Sequence, residues 1–250
     1  MNRIIKSEFY KYRINGYYIV AFLFSIVCNL FTYFGKNVGA SASVNGATAS
    51  TISSTPVTFQ SAMTGASGNL WLLLAFVIAF IVCNDYKHNT LKNVISSGNS
   101  RSQIYFGRLV STVVAVVIIE VINLVVTFAF SAIMYGFGNN IDVVTLLISI
   151  LIQFLATILN AILFYGLSSL IKGNIVSIVA NIVFFLGNSL ALYGLSQLFK
   201  QDWINNLSPT NVANFTTSVS SDVIVPIISA IVFGFIFCFA GYKVFQKKSV

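Results

Sequence analysis

Apolar runs of about 20 residues recur along the chain, separated by shorter polar stretches. A helix of about 20 residues, rising about 1.5 Å per residue, crosses a bilayer core about 30 Å thick. The runs lack the period-two alternation of membrane β-strands. The pattern therefore predicts an all-α polytopic membrane protein with six transmembrane helices: Tyr17–Phe34, Asn69–Cys83, Val110–Met134, Val143–Leu170, Ile175–Leu195 and Val223–Tyr242.

Composition and charge agree with a membrane location. Hydrophobic residues make up 57% of the chain and charged residues only 8%, whereas about a quarter of the residues of a soluble domain are charged. With the N-terminus inside, all the basic residues except Lys36 and Lys200 fall on the cytoplasmic side. The charges therefore predict cytoplasmic N- and C-termini, and they give no support to nucleic-acid binding.

The N-terminal segment, residues 1–16, has an amphipathic pattern in which Ile5, Phe9 and Tyr12 follow helical spacing among basic residues. Two interpretations stay open. The segment is an interfacial helix in contact with membrane lipid, or it is a basic flank that only orients the first span. The "ASA" sequence at 40–42 resembles a signal-peptidase site, but the preceding apolar run is longer than a signal sequence requires, so we expect the first span to be retained.

The loops are unequal in length and character. Residues 35–68 and 196–222 are predicted to be extracellular, and the first is rich in small and hydroxyl residues. The apolar residues Phe59 and Met63 near its end make the start of the second span hard to place. Residues 84–109 form the predicted cytoplasmic loop. In it, Leu91, Val94 and Ile95 make one apolar stripe on a helix of about two turns, capped by Asn89 or Thr90 and ended by Gly98.

A helix this short is marginal alone in water, so its apolar stripe needs a surface on which to dock. Ser100 and Gln103 form a capping box that begins the next helix. The short helix either covers the protein's own cytoplasmic end or transmits motion from a cytoplasmic partner. We favour the second interpretation.

The loop carries a motif that resembles the ABC-2 type permeases of bacterial ABC exporters. The matching residues are Asp85, Asn89, Thr90, Leu91, Lys92 and Asn93, followed by Gly98, Ser100, Arg101 and Ile104. Asn89 replaces the usual glycine, and Asn99 stands where the family often has a hydrophobic residue. The order of spans and loops is also similar along the whole chain, which makes 1–250 a single transmembrane domain.

The resemblance implies that the loop is a coupling helix seated on a separate ATPase. The coupling residues are then Asp85, Asn89, Thr90, Leu91, Lys92, Val94, Ile95 and Arg101. It also implies two ATPase subunits, which bind ATP and Mg²⁺, and a second permease that is either an identical copy or a paralogue. The sequence has no G-x-x-x-x-G-K-[ST] phosphate loop, so we expect no cofactor bound by this chain.

Size and composition resemble exporters of antimicrobial or amphipathic peptides, a group that includes lantibiotic and bacitracin self-protection systems and the staphylococcal exporters of phenol-soluble modulins. An enzyme is not expected, because His88 is the only histidine and no hydrolase or metalloprotease motif is present. The alternative is a secondary transporter or channel that works without an ATPase. Such a carrier needs polar groups at mid-membrane, and the predicted spans contain some: Glu120, Asn123, Gln153, Asn160 and Asn181. However, the spans lack the inverted halves and the helices broken by Gly or Pro that mark such carriers, and Pro226 is the only proline in any predicted span.

Glu120 is the only ionisable residue in the middle of a predicted span, and Asn123 lies on the same helical face. A carboxylate at this depth is costly, so it should face protein or water rather than lipid. Two roles stay open. Glu120 and Asn123 line the substrate path or dimer seam, or they form hydrogen bonds that fix the packing of the spans.

Overall fold

The computed structural model describes residues 2–38, 58–66, 70–87, 98, 100–137, 141–171, 173–207 and 224–247. These residues form α-helices and one 3₁₀ helix, with no strand among them, which confirms the all-α prediction. The α-helices are α1 Asn2–Ile14, α2 Tyr17–Val38, α3 Phe59–Thr64, α4 Leu70–Lys87, α5 Arg101–Tyr135, α6 Val143–Leu170, α7 Asn174–Phe199 and α8 Ile224–Lys247, and the 3₁₀ helix is Asp202–Leu207.

Four of the described helices are long and apolar enough to cross a membrane: Arg101–Tyr135, Val143–Leu170, Ile175–Phe199 and Val225–Lys247. Helices α1 and α2 meet at a bend of 52° and together make a possible fifth span. The apolar part of α4, Leu70–Cys83, is shorter than a full crossing. The helices thus coincide with the six predicted segments, while length and composition support four or five spans.

The predicted outer loop 35–68 is not a loop throughout. Helix α2 continues to Val38, and α3 packs into the bundle with Phe59, Met63 and Thr64 buried. The physical reason is that Phe59 and Met63 lie on one face of a helical turn and share a small apolar cluster with Ala66 and Leu124. The sequence did not predict this helix, because small and hydroxyl residues surround Phe59 and Met63 and no extended apolar pattern is present.

The closest helix packing in the described bundle joins α6 to α8 through glycine. A β-carbon added at Gly166 would lie 2.6 Å from the Phe237 carbonyl carbon and 2.7 Å from the Cys238 nitrogen, both of which are backbone atoms. A β-carbon at Gly241 would lie 2.9 Å from the Gly166 carbonyl oxygen. Small residues let helix backbones approach in this way in membrane proteins, so α6 and α8 form a fixed pair.

Candidate functional site

The predicted ATPase-coupling residues flank and fill the segment between α4 and α5. Asp85 belongs to the last turn of α4, and Arg101 is the first residue of α5. The other six, Asn89, Thr90, Leu91, Lys92, Val94 and Ile95, lie outside the described residues. Their role in coupling therefore stays a prediction.

The predicted capping box at the start of α5 is confirmed. The Ser100 hydroxyl accepts a hydrogen bond from the Gln103 backbone N–H at 3.2 Å, and Gln103 Oε1 accepts one from the Ser100 N–H at 3.3 Å. Arg101 Nη1 donates to the Gln246 carbonyl oxygen at 2.6 Å. The exit of the predicted coupling loop is therefore tied both to its own helix and to the end of α8.

Aromatic residues join three helices just above this point. The Tyr105 hydroxyl on α5 donates to the Cys238 carbonyl of α8 at 2.9 Å, and the Tyr165 hydroxyl on α6 donates to the Tyr105 carbonyl at 3.0 Å. The Tyr105 ring lies 5.6 Å from the rings of both Tyr242 and Phe245. Movement of the start of α5 must therefore be shared by α6 and α8.

Helix α1 contacts α5 through a buried ion pair. Arg108 Nε lies 3.5 Å from Glu8 Oε1, and the two side chains are only 8% and 5% exposed. Lys11 Nζ donates to the same Glu8 oxygen at 2.9 Å. Removing one partner of a buried pair is costly because the other charge is left unpaired in a low-dielectric interior. The Glu8–Arg108 contact therefore fixes α1 on α5.

The predicted apolar face of α1 is divided between the bundle interior and the bundle surface. Ile4, Glu8 and Tyr12 are the buried residues, whereas Ile5 and Phe9 are only half-buried. Glu8 faces the bundle because Arg108 of α5, a hundred positions away, lies beside it. The position of α1 at the membrane interface stays a prediction.

Glu120 and Asn123 lie inside the bundle, on the buried side of α5. Glu120 is 0% exposed and Asn123 is 4% exposed. Asn123 Nδ2 donates to the Ala66 carbonyl oxygen at 3.0 Å. Asn123 thus binds the backbone between α3 and α4. The Glu120 carboxylate lies one helical turn away from that contact.

Gln153 on α6 completes the same polar region and was not identified as a site residue from the sequence. It is 0% exposed, and its Nε2 donates to the carbonyl oxygens of Met63 and Thr64, each at 3.1 Å. An amide in the middle of an apolar run was the only sequence signal. Gln153 and Asn123 therefore hold the same short piece of chain from two different helices.

Asp142 caps the N-terminal end of α6. Hydrogen bonds from the Thr145 hydroxyl at 2.6 Å, the Thr145 N–H at 3.3 Å and the Val144 N–H at 3.1 Å lower the pKa of the Asp142 carboxyl. The Asp142 backbone N–H donates to Gln60 Oε1 at 3.2 Å. This contact places the start of α3 beside the N-terminal end of α6.

Residues 4–188 match the family model described as ABC-2 family transporter protein. The match spans 185 residues, counted from 4 to 188 inclusive, of the 250 in the chain. The chain belongs to this family. No curated protein matches the chain at a significant level. The ABC-2 protein is accordingly a membrane permease subunit of an ABC transporter, as the motif from Asp85 to Ile104 predicted.

In an ABC-2 permease, the residues described above fall into two groups at different depths. One group contains Arg101, Arg108, Tyr105 and Glu8, and it joins the exit of the predicted coupling loop to the neighbouring helices. The other group contains Glu120, Asn123 and Gln153 in the interior. Among the described residues, no cluster of three His, Cys, Asp or Glu side chains is able to hold a metal ion.

Proposed function

We propose that this ABC-2 permease exports amphipathic or antimicrobial peptides, or other hydrophobic substrates, with energy from ATP hydrolysed on a separate subunit. The observation that carries the proposal is the family match over residues 4–188. The sequence contains no phosphate-binding G-x-x-x-x-G-K-[ST] loop, which supports binding of ATP and Mg²⁺ by a partner. The permease itself then contributes no catalytic residue.

The proposed transporter contains two permeases, identical or paralogous, and two ATPase subunits below them in the plasma membrane. Charge supports this orientation. Lys11, Arg101 and Arg108 lie at the end of the bundle where α5 begins and α8 ends. Asp142 lies at the opposite end, where α6 begins. A basic inner end and an acidic cap at the outer end fit cytoplasmic N- and C-termini.

The first test is reconstitution in lipid vesicles with and without the ATPase subunit that co-purifies with the permease. We expect uptake of a fluorescent cationic amphipathic peptide into inside-out vesicles only when the ATPase and ATP·Mg²⁺ are both present. A variant ATPase that binds but does not hydrolyse ATP serves as the control. Uptake by the permease alone, driven by an ion gradient, would instead support the secondary transporter.

Glu120 supplies a test of the substrate class. We expect Glu120→Gln to reduce transport of a cationic peptide about tenfold, the loss produced by removing about 1.4 kcal/mol of attraction. A neutral peptide of the same length should be transported equally by both proteins, because Gln keeps the shape and hydrogen bonding of Glu. Initial rates with the two peptides measure the effect.

An unchanged ratio between the cationic and neutral peptides would contradict a path-lining role. Glu120→Leu is the matched variant, since it removes the hydrogen bonds as well as the charge. If only Glu120→Leu alters the protein, by lowering its thermal stability in detergent, then Glu120 fixes packing and does not select cargo.

A further inference from the structure

Helices α3 and α4 follow one another alongside α6 and make up one segment of the bundle. At its top, Gln60 contacts Asp142 at the outer end of α6, and the Phe59 ring lies 5.3 Å from Phe137 beyond the end of α5. Lower down, Met63 and Thr64 reach Gln153. The successive contacts fall progressively deeper along α6, so α3 enters the bundle from the outside.

Helix α4 continues the descent. Trp71, in its first turn, is 2% exposed and packs with Ala156 and Ala230. Near its other end, Cys83 Sγ lies 3.8 Å from the Ser168 carbonyl oxygen close to the inner end of α6. Since Gln153 lies about 16 Å along α6 from its cap, the interruption between α3 and α4 is near the middle of a core about 30 Å thick.

An interrupted helix at this depth leaves backbone carbonyl groups without their usual partners in the next turn. In a bilayer such groups must be satisfied by other protein groups. Gln153 and Asn123 provide three such hydrogen bonds, to the carbonyls of Met63, Thr64 and Ala66. Both amides are buried and belong to helices other than α3 and α4, so they fix the interruption from outside.

The two halves of the broken segment are held very differently. Helix α4 belongs to the main core, and Asn181 Nδ2 donates to both the Ala75 carbonyl at 3.1 Å and Ser168 Oγ at 3.0 Å. Helix α3 has six residues and packs in a separate small cluster with Leu124. Its lower end depends on the amides of Gln153 and Asn123.

We propose that α3 is a separately moving outer half of a broken membrane segment, and that Gln153 and Asn123 are positioning residues that hold it closed. When the amides release the three carbonyls, α3 swings from α5 and α6 while α4 stays in place. The outer end of the permease then opens. The use of this movement for transport rests on the proposed function, whereas the movement itself does not.

Thiol accessibility tests the proposal in full-length permease in which Cys28, Cys83 and Cys238 are replaced by alanine. A single cysteine replaces either Met63, 3% exposed on α3, or Ile78, 0% exposed on α4. An impermeant thiol reagent is added from outside. We expect Gln153→Met to raise the labelling rate at position 63 about tenfold or more, because two hydrogen bonds are lost, and to leave position 78 unreactive.

Asn181→Leu is the matched control, since it removes a buried amide that holds α4 instead of α3. It should leave labelling at position 63 unchanged, and Asn123→Leu should raise that labelling as Gln153→Met does. Unchanged labelling at position 63 in both Gln153→Met and Asn123→Leu would overturn the proposal. An equal rise at positions 63 and 78 would also overturn it, because it would indicate general loosening.

The same two cysteines in complexes with the ATPase test the use of the movement in transport. With Gln153 and Asn123 intact, ATP·Mg²⁺ should raise labelling at position 63 above the rate without nucleotide. If ATP has no effect while Gln153→Met still exposes position 63, the separately moving helix is supported and the ATP-driven function is contradicted. Neither the labelling with ATP·Mg²⁺ nor the labelling of the Gln153→Met variant requires knowledge of the transported substrate.

Discussion

Gly166→Leu is expected to destabilise the permease more than any other single change considered. A β-carbon at this position meets backbone atoms of Phe237 and Cys238 at 2.6 and 2.7 Å, so no side-chain rotation relieves the clash. Helix α8 would have to move away from α6. Overpacking of a core costs about 1–3 kcal/mol where side chains adjust, and a larger cost is expected where backbone must move.

Gly187→Leu is the matched control, because a β-carbon on this α7 glycine has no heavy atom within 4 Å. Both variants add the same apolar volume to a membrane helix. Thermal unfolding and size-exclusion profiles in detergent measure the difference. We expect Gly166→Leu to be aggregated or much less stable while Gly187→Leu resembles the unchanged protein, and equal stability of the two would show that α6 and α8 separate easily.

The sequence predicts the long helices well because a long apolar run or a capping pair marks each of them locally. The predicted span Val143–Leu170 has the same bounds as α6, because an uninterrupted apolar run marks both ends. The start of α5 was likewise predicted from Ser100 and Gln103. Capping and apolar length act within a few residues, so a single sequence contains the necessary information.

The sequence did not predict the features that depend on distant partners. Glu8 is buried because Arg108 lies opposite it. The chain at the end of α3 is held by the amides of Gln153 and Asn123 on two other helices. Neither pairing has a local signature.

Leu91→Asp is expected to abolish transport while leaving the permease folded in the membrane. Leu91 belongs to the predicted apolar stripe with Val94 and Ile95, on a helix too short to be stable without a docking surface. A carboxylate placed in that docked face is buried without a partner, which costs about 3–5 kcal/mol. Binding of the ATPase should therefore weaken by at least about a hundredfold.

Ser96→Asp is the matched control, because it adds the same charge five residues further along, on the polar side of the predicted helix. Co-purification of the ATPase and peptide uptake in vesicles measure both variants against the unchanged permease. Leu91→Asp should lose the ATPase, whereas Ser96→Asp should retain it. If Leu91→Asp keeps both the ATPase and normal uptake, the stripe docks on the permease's own cytoplasmic end and motion reaches α5 by another contact.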